Sequence, residues 1–391
     1  MLEHYNSTFS KSLASYSYFA PKFITKGKDG YLWNECGDSF LDLGMGLGSV
    51  SVGYSCPEID NAVCHIIKYG INFSRPSIHE KELTEIILED FNLEENAVIR
   101  YSKSSSMLLG VIPRVCRYIT QKTYIACTTG SYLGNTDWYL STCTNNGGIL
   151  KNIKDTTLTF QQGDIQSLKQ FLDKYGKQIA CIVMEPYRNK IFSAEYYQFL
   201  RDFCNKNNII LVFDETISGY RFYYPFAQKG IDCRPDITIF GKAIANGYAL
   251  AGVIIKEKLY ALLDLSKVFS FSSTHAGENI GLVAAKATIA FYKKYNVVQQ
   301  LRENGDLLIQ SLDGIIQAYG LTDCIKILGM PSYFKLYFSK IIFQDLFCKY
   351  CFENKILCRG TISICYKHSW EDIESFINVF KKYCEFLKNY V

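Results

Sequence analysis

Four apolar runs without period-two alternation, at residues 179–184, 209–213, 237–240 and 250–255, constrain this chain most. Each is too short for a core helix and too uniformly apolar for a strand with one wet face. They read as strands covered on both sides. Shorter strand signals at 123–127 and 157–160, and helical periodicity at 105–119, 165–175, 194–207 and from 282 onward, alternate with them. Such alternation predicts an α/β fold, a mostly parallel sheet flanked by helices. The helix at 105–119 carries Pro113 in its middle, where the missing N–H and the ring predict a kink. Upstream, 57–69 and 79–91 read as helices. Tyr31-Leu32-Trp33 and Ser39-Phe40-Leu41-Asp42, joined through Gly37-Asp38, read as a hairpin.

A chain of 391 residues exceeds what one core usually supports, roughly 250–300 residues. The expected division is a large α/β domain over 46–295 and a small α+β lobe built from segments 1–45 and 296–391. A hydrophobic content of 48% with 20% charged residues predicts a packed chain rather than a disordered one. The net charge of +4 comes with no basic stripe, so no nucleic-acid partner is expected. No run reaches the ~18 apolar residues of a membrane span. The start, Met1-Leu2-Glu3-His4-Tyr5, lacks the basic and apolar regions of a secretory leader. Fifteen scattered cysteines then suit a reducing cytoplasm better than a disulfide framework. Cys348 and Cys351 form a CxxC with Cys358 and Cys365 downstream, enough thiolates for zinc. A second CxxC is missing, so these are read as buried core thiols and no metal site is assigned.

Parallel sheets bind ligands beyond the carboxyl ends of their strands. Three polar residues stand at such ends: Glu185 after Met184, Asp214 after Phe213, and Lys242 after Phe240-Gly241. An amine and a carboxylate so placed suit pyridoxal 5'-phosphate (PLP). The lysine can form a Schiff base, and the aspartate can keep the pyridine nitrogen protonated. At ~3 Å and an effective dielectric of ~20 that attraction is about 5 kcal/mol before desolvation. The lysine needs the opposite treatment, a pKa lowered by burial so that it can act as a nucleophile.

The surrounding string is Phe213-Asp214-Glu215-Thr216-Ile217-Ser218-Gly219-Tyr220-Arg221, then Pro235-Asp236-Ile237, then Gly241-Lys242-Ala243-Ile244-Ala245-Asn246-Gly247-Tyr248. It resembles the class III aminotransferases, fold-type I PLP enzymes. The likeness runs from Tyr31-Leu32-Trp33 to His368-Ser369-Trp370-Glu371-Asp372-Ile373. It is nearest to glutamate-1-semialdehyde aminomutase and to relatives in bacterial polysaccharide and sugar biosynthesis, the latter favoured by segment 271–278. The resemblance implies that Lys242 carries PLP and that Asp214 pairs with its ring nitrogen. It implies that Tyr132 stacks on one face of the ring and Thr216 packs on the other. Ser105 and Ser106 match the phosphate loop at a helix start, where free N–H groups and the helix dipole also favour an anion. Thr274 matches a threonine that reaches the phosphate from the partner subunit, which implies a homodimer with its active site at the interface. Glu185 is expected to hold neighbouring groups in place.

The pattern is broken in places. The family's phosphate loop has Gly, then Ser or Thr, then an acidic residue, and this chain has Ser105, Ser106 and Met107. The histidine usual after the stacking aromatic is Leu133. The arginine that binds substrate carboxylate in the aminomutase aligns near Ser12, with Lys11 the nearest cation and Tyr16, Ser17 and Tyr18 beside it. A lysine offers a point charge rather than a bidentate fork. The expected reaction is therefore amino-group transfer to or from a small aldehyde or ketone, a sugar-derived one included. The alternatives are an aminomutase, a PLP decarboxylase, and a catalytically degraded relative acting as a binding or scaffold subunit.

Overall fold

A computed structural model describes residues 20–21, 23–91, 96–187, 191–231, 233–268 and 271–390. The chain forms two compact units, one of residues 1–60 with 291–391 and one of residues 61–290.

The first unit begins with the antiparallel strands β1 (Ile24–Lys28), β2 (Tyr31–Asn34) and β3 (Ser39–Asp42). The β2–β3 turn is built by Asn34, whose Oδ1 accepts from the N–H groups of Cys36 and Asp38 at 3.0 and 2.8 Å. Gly37 supplies the positive φ of 85° that the turn requires. Residues 46–60, grouped with the larger domain in the sequence reading, bond into this unit instead. Asp29 and Tyr54 exchange backbone hydrogen bonds, and Tyr54 donates to Asp42 Oδ2 at 2.6 Å.

The second unit holds a seven-stranded sheet: β4 (Ala97–Ser102), β5 (Tyr124–Thr128), β6 (Thr157–Phe160), β7 (Ile179–Met184), β8 (Ile210–Asp214), β9 (Ile237–Phe240) and β10 (Ala251–Lys256). Their spatial order is β4-β10-β9-β8-β7-β5-β6. Strands β9, β8, β7, β5 and β6 pair in parallel, and β10 runs antiparallel to both β4 and β9. All six residues of β7 and all five of β8 are buried, as uninterrupted apolar runs covered on both faces should be. From β5 the chain moves outward to β6 and returns on the other side of β5 as β7. Open parallel sheets place ligands beyond the carboxyl ends of strands at such a reversal, here β5 and β7.

The helix Ser105–Thr120 runs through Pro113. Proline supplies no N–H for the carbonyl four residues earlier, which belongs to Leu109. That carbonyl accepts instead from the hydroxyl of buried Tyr139 at 3.2 Å.

The rest of the first unit comprises β11 (Ile325–Met330), β12 (Tyr333–Phe338) and β14 (Thr361–Ser363) in an antiparallel sheet, with β13 (Ile356–Leu357) parallel to β3. The helices Val297–Ala318, Ile341–Glu353 and Trp370–Lys388 pack with it through apolar faces. The last begins in a capping box between Ser369 and Asp372. Cys348 and Cys351 are buried on Ile341–Glu353, and Cys365 packs with Met45 and Val50. All fifteen cysteines are free thiols. Among the described residues no helix is long and apolar enough to cross a membrane.

Candidate functional site

Asp214 is the last residue of β8, and it pairs in register with Ile239 of β9. Lys242 follows β9 after the single residue Gly241, so adjacent parallel strands deliver a carboxylate and an amine to the same sheet edge. Asp214 is 5% exposed. Burial pushes its carboxyl above the usual range, against the pull of hydrogen bonds from Thr216 and of the nearby Lys242 charge. Thr216 donates its N–H to Asp214 Oδ1 at 3.0 Å and its hydroxyl to the same oxygen. Among the described residues no hydrogen bond reaches Oδ2.

Burial pushes the Lys242 ammonium down, while the charges of Asp214 and Glu185 oppose that and Arg221 adds to it. Among the described residues Lys242 Nζ makes no hydrogen bond or ion pair. Its backbone has a φ of +48°. A non-glycine residue pays about 1–3 kcal/mol for such a conformation, and it persists where the surroundings over-determine it. Glu185 leaves the end of β7, and its carbonyl accepts from Gln162 Nε2 at 3.0 Å.

Below these groups the segment 214–228 forms a buried support. Glu215, fully buried, accepts from Ser218 Oγ (2.9 Å), Ala227 N–H (2.6 Å), Gln228 N–H (2.9 Å) and Gln228 Nε2 (3.1 Å). Gln228 Nε2 also donates to Thr238 Oγ1 in β9, tying the support to the strand that carries Lys242. Tyr220 and Arg221 are both 0% exposed, so the Gly-Tyr-Arg end of the motif packs inside the unit.

The helix Ser105–Thr120 starts beside the same edge. Ser105 Oγ donates to the Phe240 carbonyl at 3.3 Å. A Cβ added at Gly241 would lie 2.7 Å from Ser105 Oγ, and one at Gly134 would lie 2.6 Å from Ser106 Oγ. Glycine at those two places lets both loops close onto the helix start. The N-cap is Ser104, whose Oγ accepts from Ser106 N–H at 3.2 Å. Tyr132, in the loop after β5, is 66% exposed, and Leu133 beside it is buried with Leu108, Leu109 and Ile112. Thr274 is exposed, in a loop that ends in the close Lys103–Glu278 ion pair (2.5 Å). Lys103 Nζ also donates to the Ala249 carbonyl at 3.2 Å, in the turn after Lys242.

Lys242, Asp214, Thr216, Ser105 and Ser106 thus meet at one edge. Glu185 acts on Lys242 electrostatically. The structure gives no contact of Tyr132 or Thr274 with that group. Lys11, Ser12, Tyr16, Ser17 and Tyr18 lie outside the described residues. Sequence reading missed Ser104, Lys103 and the Glu215–Gln228 support. The three serines before an apolar run signalled a helix start, but any of them could have been the cap.

These residues fit PLP. An amine with no hydrogen-bond partner suits the aldehyde, a carboxylate oxygen with none suits the ring nitrogen, and a glycine-lined helix start suits the phosphate.

Comparison with known proteins supports the same conclusion. Glutamate-1-semialdehyde 2,1-aminomutase of Fusobacterium nucleatum is 28% identical over 337 residues, covering 82% of this chain and 76% of the relative. The 3-aminobutyryl-CoA aminotransferase of Cloacimonas acidaminovorans is 28% identical over 376 residues, covering 90% and 86%. A transaminase solved with PLP bound superposes with a TM-score of 0.88 at 20% identity, over 99% of this chain and 97% of that one. A glutamate-1-semialdehyde aminomutase from Pseudomonas aeruginosa gives 0.84 at 15%, over 95% and 89%. At such identities the superpositions establish the fold. The family model for class III aminotransferases matches residues 14–331, most of the chain including Asp214 and Lys242: the chain belongs to the class III aminotransferase family.

Proposed function

We propose that this protein moves an amino group to or from a small aldehyde or ketone, using PLP as cofactor. The observation that carries the reading is the pair at the ends of β8 and β9, buried Asp214 and half-buried Lys242, with no hydrogen bond to Lys242 Nζ or Asp214 Oδ2 among the described residues. Bound PLP supplies an electron sink for charge developed on the substrate carbon. Lys242 would hold the cofactor through Nζ. Burial favours its neutral amine, so the same nitrogen can take a proton from substrate and return it. Asp214 Oδ2 would accept from the ring nitrogen, Thr216 fixing the carboxylate plane from the other oxygen. Ser105 and Ser106, with the helix start, would receive the phosphate. Tyr132 would cover the ring, and Glu185 would hold its neighbours around Lys242.

Two further assignments complete the proposal. Thr274, exposed on its own unit, would serve the site of a second copy, so the enzyme is a homodimer. Fifteen free thiols support a cytoplasmic home. A sugar-derived carbonyl is the substrate class supported by the likeness of segment 271–278 to sugar-modifying relatives.

The purified protein mixed with PLP should develop a visible absorbance band that Lys242→Ala abolishes. No band at saturating PLP would overturn the enzyme reading. An amino donor alone should then convert the band to the spectrum of pyridoxamine phosphate. Release of carbon dioxide instead would mark a decarboxylase. An isomeric product retaining its own nitrogen would mark an aminomutase.

A further inference from the structure

The first turn of Ser105–Thr120 has few donors to spare. Met107 N–H bonds the Ser104 carbonyl at 3.2 Å, and Ser106 N–H bonds the Ser104 hydroxyl at 3.2 Å. Among the described residues only Ser105 N–H of these three makes no hydrogen bond. A phosphate at a helix start is held by several N–H groups at once. The Ser104 hydroxyl therefore occupies a donor that an anion at this helix start would use. Its backbone is extended, with φ −151° and ψ 133°, and its side chain is exposed. The hydroxyl can rotate away without disturbing packing. Gly134 and Gly241 close onto Ser106 and Ser105 and leave Ser104 clear of them.

We propose that Ser104 is a built-in occupant of the phosphate end of this site. Its hydroxyl caps the helix in the ligand-free protein and must release Ser106 N–H before phosphate can take it. The inference rests on the proposed PLP site. It makes Ser104 a residue that sets cofactor affinity by competition: what the cap gives the free protein, binding has to return.

The test compares wild type, Ser104→Ala, Ser104→Gly and Ser104→Thr. Each cofactor-free protein is melted with and without inorganic phosphate and titrated with PLP by absorbance. Loss of the cap should lower the melting temperature of free Ser104→Ala and Ser104→Gly. The same loss should tighten PLP binding about fivefold in Ser104→Ala, within the range that alanine replacement of an N-cap spans, and by less in Ser104→Gly. The PLP-saturated proteins should melt closer together than the free ones. Ser104→Thr, which keeps a capping hydroxyl, should follow wild type. Inorganic phosphate should protect the two uncapped variants more than wild type, a readout independent of Lys242. Unchanged or weaker PLP and phosphate binding in both uncapped variants would overturn the proposal. A wild type that binds phosphate but shows no PLP band would instead count against the cofactor assignment and leave the capping result to be read from the phosphate arm.

Discussion

Thr216 gives both its N–H and its hydroxyl to one oxygen of Asp214. The family resemblance implied a side chain packed against a ring, and the structure adds a second task, orienting the carboxylate and favouring its charged form. Burial raises the Asp214 pKa, and the bonds from Thr216 are the largest opposing influence. Thr216→Val keeps the shape and removes the hydroxyl, so the Asp214 pKa should rise further. A neutral Asp214 cannot support a protonated ring nitrogen. PLP affinity of the valine variant should therefore fall about tenfold below neutral pH, the cost of one lost hydrogen bond to a charged group, and recover at alkaline pH. Titration with PLP across pH checks this. A pH-independent loss would show that Thr216 contributes only packing. Asp214 and Lys242 were legible in sequence because each ends an apolar strand and both sit in one ordered motif. Ser104, Lys103 and Glu215 were not, since their roles depend on hydrogen bonds whose partners no local pattern announces.

The strands most readable as elements were β7, β8 and β9, nearly uninterrupted apolar runs between helical segments. Strand β4 escaped notice because Arg100 and its half-buried neighbours blur the apolar run of this edge strand. The antiparallel direction of β10 could not be read either, since a run buried on both faces looks the same in either direction. The helix through Pro113 shows a different limit. Proline predicted a broken ladder, and the structure repairs it with Tyr139, distant in sequence, whose hydroxyl takes the Leu109 carbonyl. Tyr139→Phe should cost about 1–3 kcal/mol, the penalty for stranding a buried acceptor. In a Pro113→Ala background, position 113 regains an N–H for that carbonyl and the cost of Tyr139→Phe should shrink. A double-mutant cycle by urea unfolding measures the coupling. Additive costs would mean that the tyrosine contributes only its packing.

At the scale of the whole molecule, both chain ends build one unit, with β3 paired to β13 and the Leu43 carbonyl accepting from Ser363 N–H. The expected division put residues 46–60 with the larger domain, whereas they bond to strands on either side of them rather than to a local element. The other unit carries a pH liability at its centre. Burial pushes the Glu215 carboxyl up to about 7 against four hydrogen bonds that pull it down. Its unfolded value is near 4.5. Between the two the folded protein binds more protons than the unfolded one, so stability is fully present below the unfolded value and is lost as pH rises toward 7. The shift corresponds to about 3 kcal/mol. The acids Asp38 and Glu58, which are exposed, and Glu82 and Asp264, which are half-buried, have lowered pKa values, so their contributions fade only at more acidic pH. Glu215→Gln removes the titration, though its amide must also turn N–H toward a donor, so the variant should be less stable throughout. The diagnostic is the gap between wild type and variant in urea unfolding of the cofactor-free protein: it should be widest at about pH 4 and narrow by about 3 kcal/mol toward pH 7. A gap that stays constant would mean that the four donors outweigh burial and hold Glu215 ionised across the range.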